Sequence, residues 1–275
     1  MADQGFLAHQ RRAVILDLVH RGGGVRVADL VEQLGVSDMT VRRDLDTLAR
    51  TGAVEKVHGG ALVPVAGRAL DEPGFEAKSG RESGAKAAIA DAAALLVQPG
   101  SVVGLSAGTT AFAVATRLLD RPDLTVVTNS LPVAGLLRAA DREQAHVSPA
   151  VLVTGGAPTR SAALAGPLAN LTIESLHVDL LIIGAHGVSE RAGLTTPDLA
   201  EAQTNRALLA CARRVAVVAD HTKWGVVGLN GFAELGAVHH FVTDDRLDSH
   251  ARSVLADRVG ELILAREPSG GHDPA

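Results

Sequence analysis

The sequence predicts a two-domain α/β protein, an N-terminal winged helix-turn-helix followed by a Rossmann-like α/β domain. Three observations carry this. Residues Val25 to Ala61 read in order as a short strand, a helix, a tight turn, a second helix and a small hairpin. From Arg81 onward, short apolar runs that end in small or polar residues alternate with helical stretches, the pattern of a mostly parallel sheet covered by helices. Between them, Leu62 to Gly80 loses all periodicity and carries Pro64, Gly67, Pro73, Gly74 and Gly80, as an inter-domain connection does. The expected boundaries are 5–61 for the first domain, 62–80 for the linker, 81–265 for the second domain and 266–275 for a disordered tail.

In the first domain, Gln10 to Arg21 places Val14, Ile15, Leu18 and Val19 at helical spacing, giving one buried face. Gly22-Gly23-Gly24 ends that helix, and Val25 and Val27 alternate around Arg26 as in a half-buried strand. Ala28 to Leu34 forms a second helix with Leu30, Val31 and Leu34 inward. Gly35 supplies the positive φ of a tight interhelical turn, and Ser37 is a good N-cap. The helix from Asp38 to Arg50 buries Val41, Leu45 and Leu48. Its opposite face holds Arg43, flanked by Thr40, Thr47 and Arg42. Guanidinium groups on such a face match guanine O6 and N7, and threonines match phosphates or thymine methyls. Gly52 stops the helix. Val54 to Val57 with Gly59-Gly60 makes a wing, offering Lys56 and His58 to backbone phosphates. The alternative is a protein-contact module whose arginines are solvated or paired with Asp38, Asp44 and Asp46.

Charge does not advertise nucleic-acid binding. The 275 residues carry a net charge of −5, and residues 1–60 hold eight Lys/Arg against eight Asp/Glu. The reading therefore depends on where charges point, not on their sum. Aromatic residues make up 2% and tyrosine is absent, which argues against stacking on single-stranded bases. Apolar runs such as Leu180 to Ala185 are too short to span a bilayer, and no signal-peptide pattern opens the chain. The single cysteine, Cys211, fits a reducing cytoplasm and reads as a small core residue.

The segment VSDMTVRRDLDTLARTGAVEKVHGGA resembles the N-terminal signature of the DeoR family of bacterial transcriptional regulators, above all in VRRDL and HGGA. The resemblance implies binding to double-stranded operator DNA, usually as a repressor, with Thr40, Arg42 and Arg43 on the reading helix.

In the second domain, Glu82 to Val97 is Ala-rich and helical. The expected strands are Val102–Leu105, Leu124–Val127, Val151–Val153, Leu180–Ile183, Val215–Ala219 and Phe241–Val242. Helices are expected at Ala111–Leu119, Pro132–Ala140 and Leu199–Ala212. Ligands of such sheets bind beyond the carboxyl ends of the strands, where the polar clusters fall. Ser106-Ala107-Gly108-Thr109-Thr110 offers a close-approach glycine and a helix N-terminus, an anion cradle suited to phosphate; a plain tight turn has the same pattern. Thr128-Asn129-Ser130 enters a helix likewise, as ligand contact or as simple N-cap. Glu201 is a candidate acceptor for polyol hydroxyls and Lys223 a candidate partner for an anion, with surface charge as the alternative for each.

The order LSAGTT, VVTNS, VTGG, ALAGPLA, DLLIIGAHGV, GLTTPDLAEA and VVADHTKWG resembles DeoR-family sensor domains across residues 75–245. That resemblance implies a fold similar to ribose-5-phosphate isomerase and coenzyme A transferases, and a phosphorylated sugar as effector. By motif it points to Gly108, Thr109, Thr110, Thr128, Asn129, Ser130, Gly155, Gly156, Glu201 and Lys223. Two positions depart from the family pattern: Ser106 stands where an acidic residue is common, and His186 where Asp or Asn is usual. Both lower the negative charge of the pocket, and both join the candidate effector-binding residues.

The expected function is therefore a ligand-controlled repressor of carbohydrate-metabolism genes, acting as a homodimer or homotetramer without a cofactor. The alternative is a sugar-phosphate isomerase-like enzyme with an appended DNA-binding domain. That reading is weakened by the scarcity of acids and lysines near the strand ends, so no catalytic residues are assigned. No metal site is expected: His239 and His240 are adjacent on a strand and point to opposite faces, and His20, His146 and His250 lack partners at ligand spacing.

Overall fold

The computed structural model describes residues 11–12, 14–16, 18–19, 24–50, 54–57, 59–62, 74–143 and 148–267. The chain divides between Arg68 and Ala69 into two compact units.

In the first unit, the described residues between 11 and 19 are helical (α1). They are followed by β1 (Gly24–Arg26), α2 (Val27–Leu34), α3 (Asp38–Arg50), β2 (Glu55–Val57) and β3 (Gly60–Leu62). The core follows the predicted spacing: Ile15, Val19, Leu30, Leu34, Val41, Leu45 and Leu48 are buried together with Val27, Val54 and Ala61, while Val14, Leu18 and Val31, also expected inward, are partly buried against it. Val27 opens α2 instead of closing the strand, and its N–H donates to the Gly59 carbonyl at 2.9 Å. Gly35 takes φ 63° and returns its N–H to the Val31 carbonyl, the left-handed C-cap expected between the helices. The strands form one antiparallel sheet in the order β1-β3-β2. Gly60 is required there, because a Cβ would lie 2.3 Å from the Val25 carbonyl oxygen. Asp44, buried on α3, receives the Arg11 guanidinium at 2.5 Å and ties α1 to α3.

The second unit begins its described structure inside the segment expected to be linker. Residues Phe75–Ser79 form a short helix, α4, and Phe75 meets Phe112 edge to face at 5.5 Å. Leu62 belongs to the wing and residues 63–73 lie outside the described residues. Then follow α5 (Ser83–Ala94), β4 (Val102–Leu105), α6 (Thr109–Thr116), β5 (Thr125–Thr128), α7 (Leu131–Glu143), β6 (Ala150–Val153), β7 (Ala157–Pro158), β8 (Leu164–Ala165) and α8 (Pro167–Glu174). The remainder is β9 (Leu180–Ile183), β10 (Gly187–Ser189), β11 (Gly193–Thr196), α9 (Leu199–Ala210), β12 (Val215–Val218), β13 (Asn230–Ala233), β14 (His240–Asp244), α10 (Ser249–Arg258) and β15 (Glu261–Ala265), with 3₁₀ turns at His221–Lys223 and Leu235–Ala237.

The main sheet is parallel with seven strands in the order β15-β14-β12-β9-β4-β5-β6. Its inner strands are buried on both faces, so alternate side chains feed two cores, whereas the edge strands β6 and β15 are partly exposed. Leu181, Ile183, Val215 and Val217 pack with α8, α9 and α10. Leu180, Ile182, Ala216 and Val218 pack with α5, α6 and α7. A second, antiparallel sheet, β10-β11-β13, has no counterpart in the sequence expectations. The chain runs outward from β4 to β6, then returns to β9 and runs the other way. The strand order therefore reverses between β4 and β9, which is where open α/β sheets leave a crevice.

A buried lysine anchors α4. Lys86 of α5 donates to the Lys78 carbonyl at 2.7 Å and to the Arg81 carbonyl. Burial pushes its pKa down, with the nearby Lys223 charge acting in the same direction and Asp220 opposing.

Candidate functional site

The exposed face of α3 is the candidate DNA-contacting surface. Arg43 is exposed and its side chain has no hydrogen bond or ion pair among the described residues. Arg42 is different: its Nε lies 2.5 Å from Asp38 Oδ1 and its second guanidinium nitrogen 3.2 Å from Oδ2. The pair raises the Arg42 pKa and lowers that of Asp38. Ser37 and Thr40 share a 2.9 Å hydroxyl contact, and Ser37 Oγ accepts the Thr40 N–H at 3.3 Å. Thr47 donates its hydroxyl back to the Arg43 carbonyl. Lys56 on the wing pairs with Asp46 at 2.5 Å. His58 lies outside the described residues. Arg43 thus presents a guanidinium with no side-chain partner among the described residues, whereas the charges of Arg42 and Lys56 are held by carboxylates. Exposed pairs of this kind are weak.

In the second unit a cleft opens at the β4/β9 switch point, with about 720 Å³ of empty space including its open mouth. Ser106, Gly108, Thr109, Thr110, Asn129, His186, Glu201 and Lys223 line it, from eight of the twelve predicted positions. Gly108 has φ 120° and precedes α6, whose N-terminus no side chain caps. The amides of Thr109, Thr110 and Ala111 therefore stand at the cleft with the positive end of the helix dipole. Ser106 is buried and spends its hydroxyl within the protein, donating to the Ala107 carbonyl and accepting the Gly184 N–H at 3.1 Å. It stitches the loop after β4 to the loop after β9.

Glu201, in the first turn of α9, is 9% exposed. Asp198 caps that turn by accepting the Glu201 N–H. Each carboxylate oxygen of Glu201 accepts a hydroxyl, Ser161 Oγ at 2.5 Å and Thr196 Oγ1 at 3.3 Å. Lys223 sits on the 3₁₀ turn whose N-cap, Asp220, accepts the Thr222 N–H. His221, on the same turn, is held by Asp244. The His221 N–H donates to Asp244 Oδ1 at 2.8 Å, and its ring Nδ1 lies 2.9 Å from Oδ2 without hydrogen-bond alignment.

Four predicted residues do not line the cleft. Thr128 donates to the Leu105 carbonyl at 2.7 Å and accepts the Ser130 N–H. Ser130 caps α7 by accepting the Val133 N–H. Gly155 (φ 75°) and Gly156 (φ 116°) make the turn after β6, and a Cβ on Gly156 would lie 2.8 Å from the Ala165 carbonyl oxygen. These residues serve the local backbone rather than the cleft surface. Conversely, Lys78, Ser161, Thr196, Asn205 and Phe232 line the cleft without having been predicted. Ser161 reaches it from the turn between β7 and β8, Thr196 from the end of β11, and Lys78 from the short α4.

Among the described residues no cluster of three or more His, Cys, Asp or Glu groups is placed to hold a metal ion. His239 Nδ1 accepts the Val215 N–H and His240 Nδ1 lies 3.0 Å from Glu261 Oε2. Among the same residues no helix is long and apolar enough to cross a membrane.

Such an arrangement, a reading helix with an exposed guanidinium in one unit and a polar cleft at a sheet switch point in the other, defines a ligand-responsive DNA-binding regulator. Residues 11–65 match the DeoR-like helix-turn-helix domain and residues 81–245 the DeoR C terminal sensor domain. The chain belongs to the DeoR family of transcriptional regulators. It is 36% identical over 258 residues to the uncharacterized HTH-type transcriptional regulator YgbI of Escherichia coli K12, covering 94% of this chain and 98% of that one. It is 31% identical to the glycerol-3-phosphate regulon repressor of the same organism, covering 93% and 98%. Among solved structures, it overlaps ribose 5-phosphate isomerase A of Methanocaldococcus jannaschii over 50% of this chain and 53% of that one. The identity there is 19% and the TM-score 0.37.

Proposed function

We propose that the chain is a transcriptional repressor of carbohydrate-metabolism genes whose grip on double-stranded operator DNA is controlled by a phosphorylated sugar in the cleft. The observation that carries this reading is the cleft itself: an uncapped helix N-terminus with Lys78 and Lys223 at hand for an anion, and the carboxylate of Glu201 for hydroxyls. The name of the glycerol-3-phosphate regulon repressor supports a phosphate ester as the ligand class. In the cytoplasm a homodimer or homotetramer would present α3 from two copies, so half-sites lie about one helical turn apart or a multiple of it.

An isomerase-like activity would need a base beside the C1–C2 protons and an electrophile for the enediolate. Among the described lining residues Glu201 is the one carboxylate, and both its oxygens already accept hydroxyl hydrogen bonds. That suits holding a ligand better than abstracting a proton. The test selects binding sites for the purified chain from a random DNA pool and then adds pentose, hexose and glycerol phosphates. The reading expects a recurrent duplex motif, ligand-dependent release and no turnover of the added esters. Failure to enrich any motif, or isomerised product, overturns it.

A further inference from the structure

Asn129 directly follows β5, lines the cleft and is 2% exposed. Its Nδ2 donates to the Leu164 carbonyl at 3.1 Å. That bond fixes the orientation of the amide, because a carbonyl only accepts: exchanging the nitrogen and oxygen would set two acceptors face to face. The Leu164 carbonyl is itself held firmly. The Leu164 N–H donates to the Asn129 carbonyl at 2.6 Å, Leu131 donates to the Ala162 carbonyl, and Ser130 pairs with Ala163. The Asn129 Oδ1 is therefore left as a buried acceptor, and it has no hydrogen-bond partner. Buried polar atoms without partners are few in native proteins and call for an explanation.

The place of Asn129 in the cleft lining supplies one. Ser161 and Ala163, which line the cleft beside Asn129, come from the turn between β7 and β8. That turn holds Ala162 at φ 60°, a left-handed conformation that a residue with a Cβ adopts at a cost. The turn brings Ser161 to Glu201. Asn129 Oδ1 and the Glu201 carboxylate are both acceptors, and neither suits the oxygens of a phosphate or carboxylate. Donors suited to an anion stand elsewhere in the cleft, among them the first turn of α6, Lys78 and Lys223.

We propose that Asn129 determines ligand specificity by requiring a hydroxyl donor at its Oδ1, so that the cleft selects a polyhydroxylated ligand over a bare anion. The proposal rests on the cleft being the effector site. An anionic group takes the α6 N-terminus, and the hydroxyl-bearing carbons lie along Asn129 and Glu201. A site built to hydrogen-bond a hydroxyl discriminates strongly against an analogue that lacks it, because the buried partner is then stranded.

The test measures affinities of the full chain for inorganic phosphate, glycerol 3-phosphate, pentose and hexose phosphates, and unphosphorylated pentitols and hexitols. The tightest hydroxylated binder is then examined as its monodeoxyfluoro series, in which a C–F bond replaces each hydroxyl donor. The wild-type chain is expected to lose tenfold or more at one position. Asn129→Leu is expected to lose nothing further at that position, and Asn129→Ser serves where the leucine variant does not fold. Equal losses in wild type and variant overturn the assignment. Inorganic phosphate binding as tightly as every ester overturns it too, while leaving the phosphate reading standing. Polyols that bind with the expected Asn129 dependence where phosphate does not would uphold the assignment and sink the phosphorylated effector. No binding by any probe contradicts both.

Discussion

Arg43 and Arg42 are sequence neighbours with different starting states. Arg43 has no partner to give up among the described residues, and Arg42 has Asp38. If Arg43 reads a base, Arg43→Ala costs about 1–3 kcal/mol of operator affinity and relaxes sequence preference at one position. Arg42→Ala is expected to weaken binding evenly across sequences and to reduce the salt slope by about one. Fluorescence anisotropy on the selected site and on mutated sites, at several salt concentrations, separates the two roles. At Asp244 the same scale of argument concerns stability. Burial alone would raise its pKa, but the His221 N–H, the His221 ring and the Arg246 guanidinium outweigh it and leave the carboxyl below its ordinary value. A depressed carboxyl pKa stabilises the fold above the unfolded value of about 3.9, and that contribution disappears as pH falls through the folded value. Asp244→Asn should therefore cost about 2–3 kcal/mol at neutral pH, as charged hydrogen bonds do. It should also flatten the decline of melting temperature in acid; an unchanged acid limb contradicts this.

At the scale of elements, the sequence was most informative where a strand is buried on both faces. Val102–Leu105 and Leu180–Ile183 appear as continuous apolar runs because both cores claim them, and their bounds were read to the residue. The antiparallel strands β10, β11 and β13 were not seen. GVS, GLTT and NGFA each carry a glycine and show no sustained apolar alternation, and GLTT is buried throughout although half of it is threonine. Helix α4 falls in the segment the sequence assigns to linker, because five residues between glycines give no periodic signal. Its place depends on Phe112, far along the chain, and on the buried Lys86 of the next helix. Lys86→Met would leave the carbonyls of Lys78 and Arg81 without that donor. Since α4 carries the cleft residue Lys78, the variant should bind phosphate esters several-fold more weakly although Lys86 does not line the cleft. Calorimetry checks this, and unaltered affinity would detach α4 from the site. The site itself was legible in the same uneven way. Ser-Ala-Gly-Thr-Thr and Glu201 were found by the chemistry of strand ends and by family motif. The same motifs also named Thr128, Ser130, Gly155 and Gly156, whose polar atoms or small size serve the backbone. One-dimensional pattern does not distinguish a residue that faces a ligand from one that lets its neighbour do so.

At the scale of the whole molecule, the chain joins two functions with separate cores, and regulation requires that one bias the other. A ligand changes DNA affinity only through its unequal binding to two states, and the coupling is reciprocal. The most direct test measures the affinity of the wild-type chain for its selected operator, with and without a saturating phosphate ester, beside Lys223→Ala and Glu201→Gln. The account predicts a shift of about 5-fold or more in the wild type, in the range usual for coupled sites. It also predicts little or no shift in either variant, and equal affinity of all three for DNA without ligand. An operator affinity in the wild type that ignores every ester bound by the cleft would contradict it.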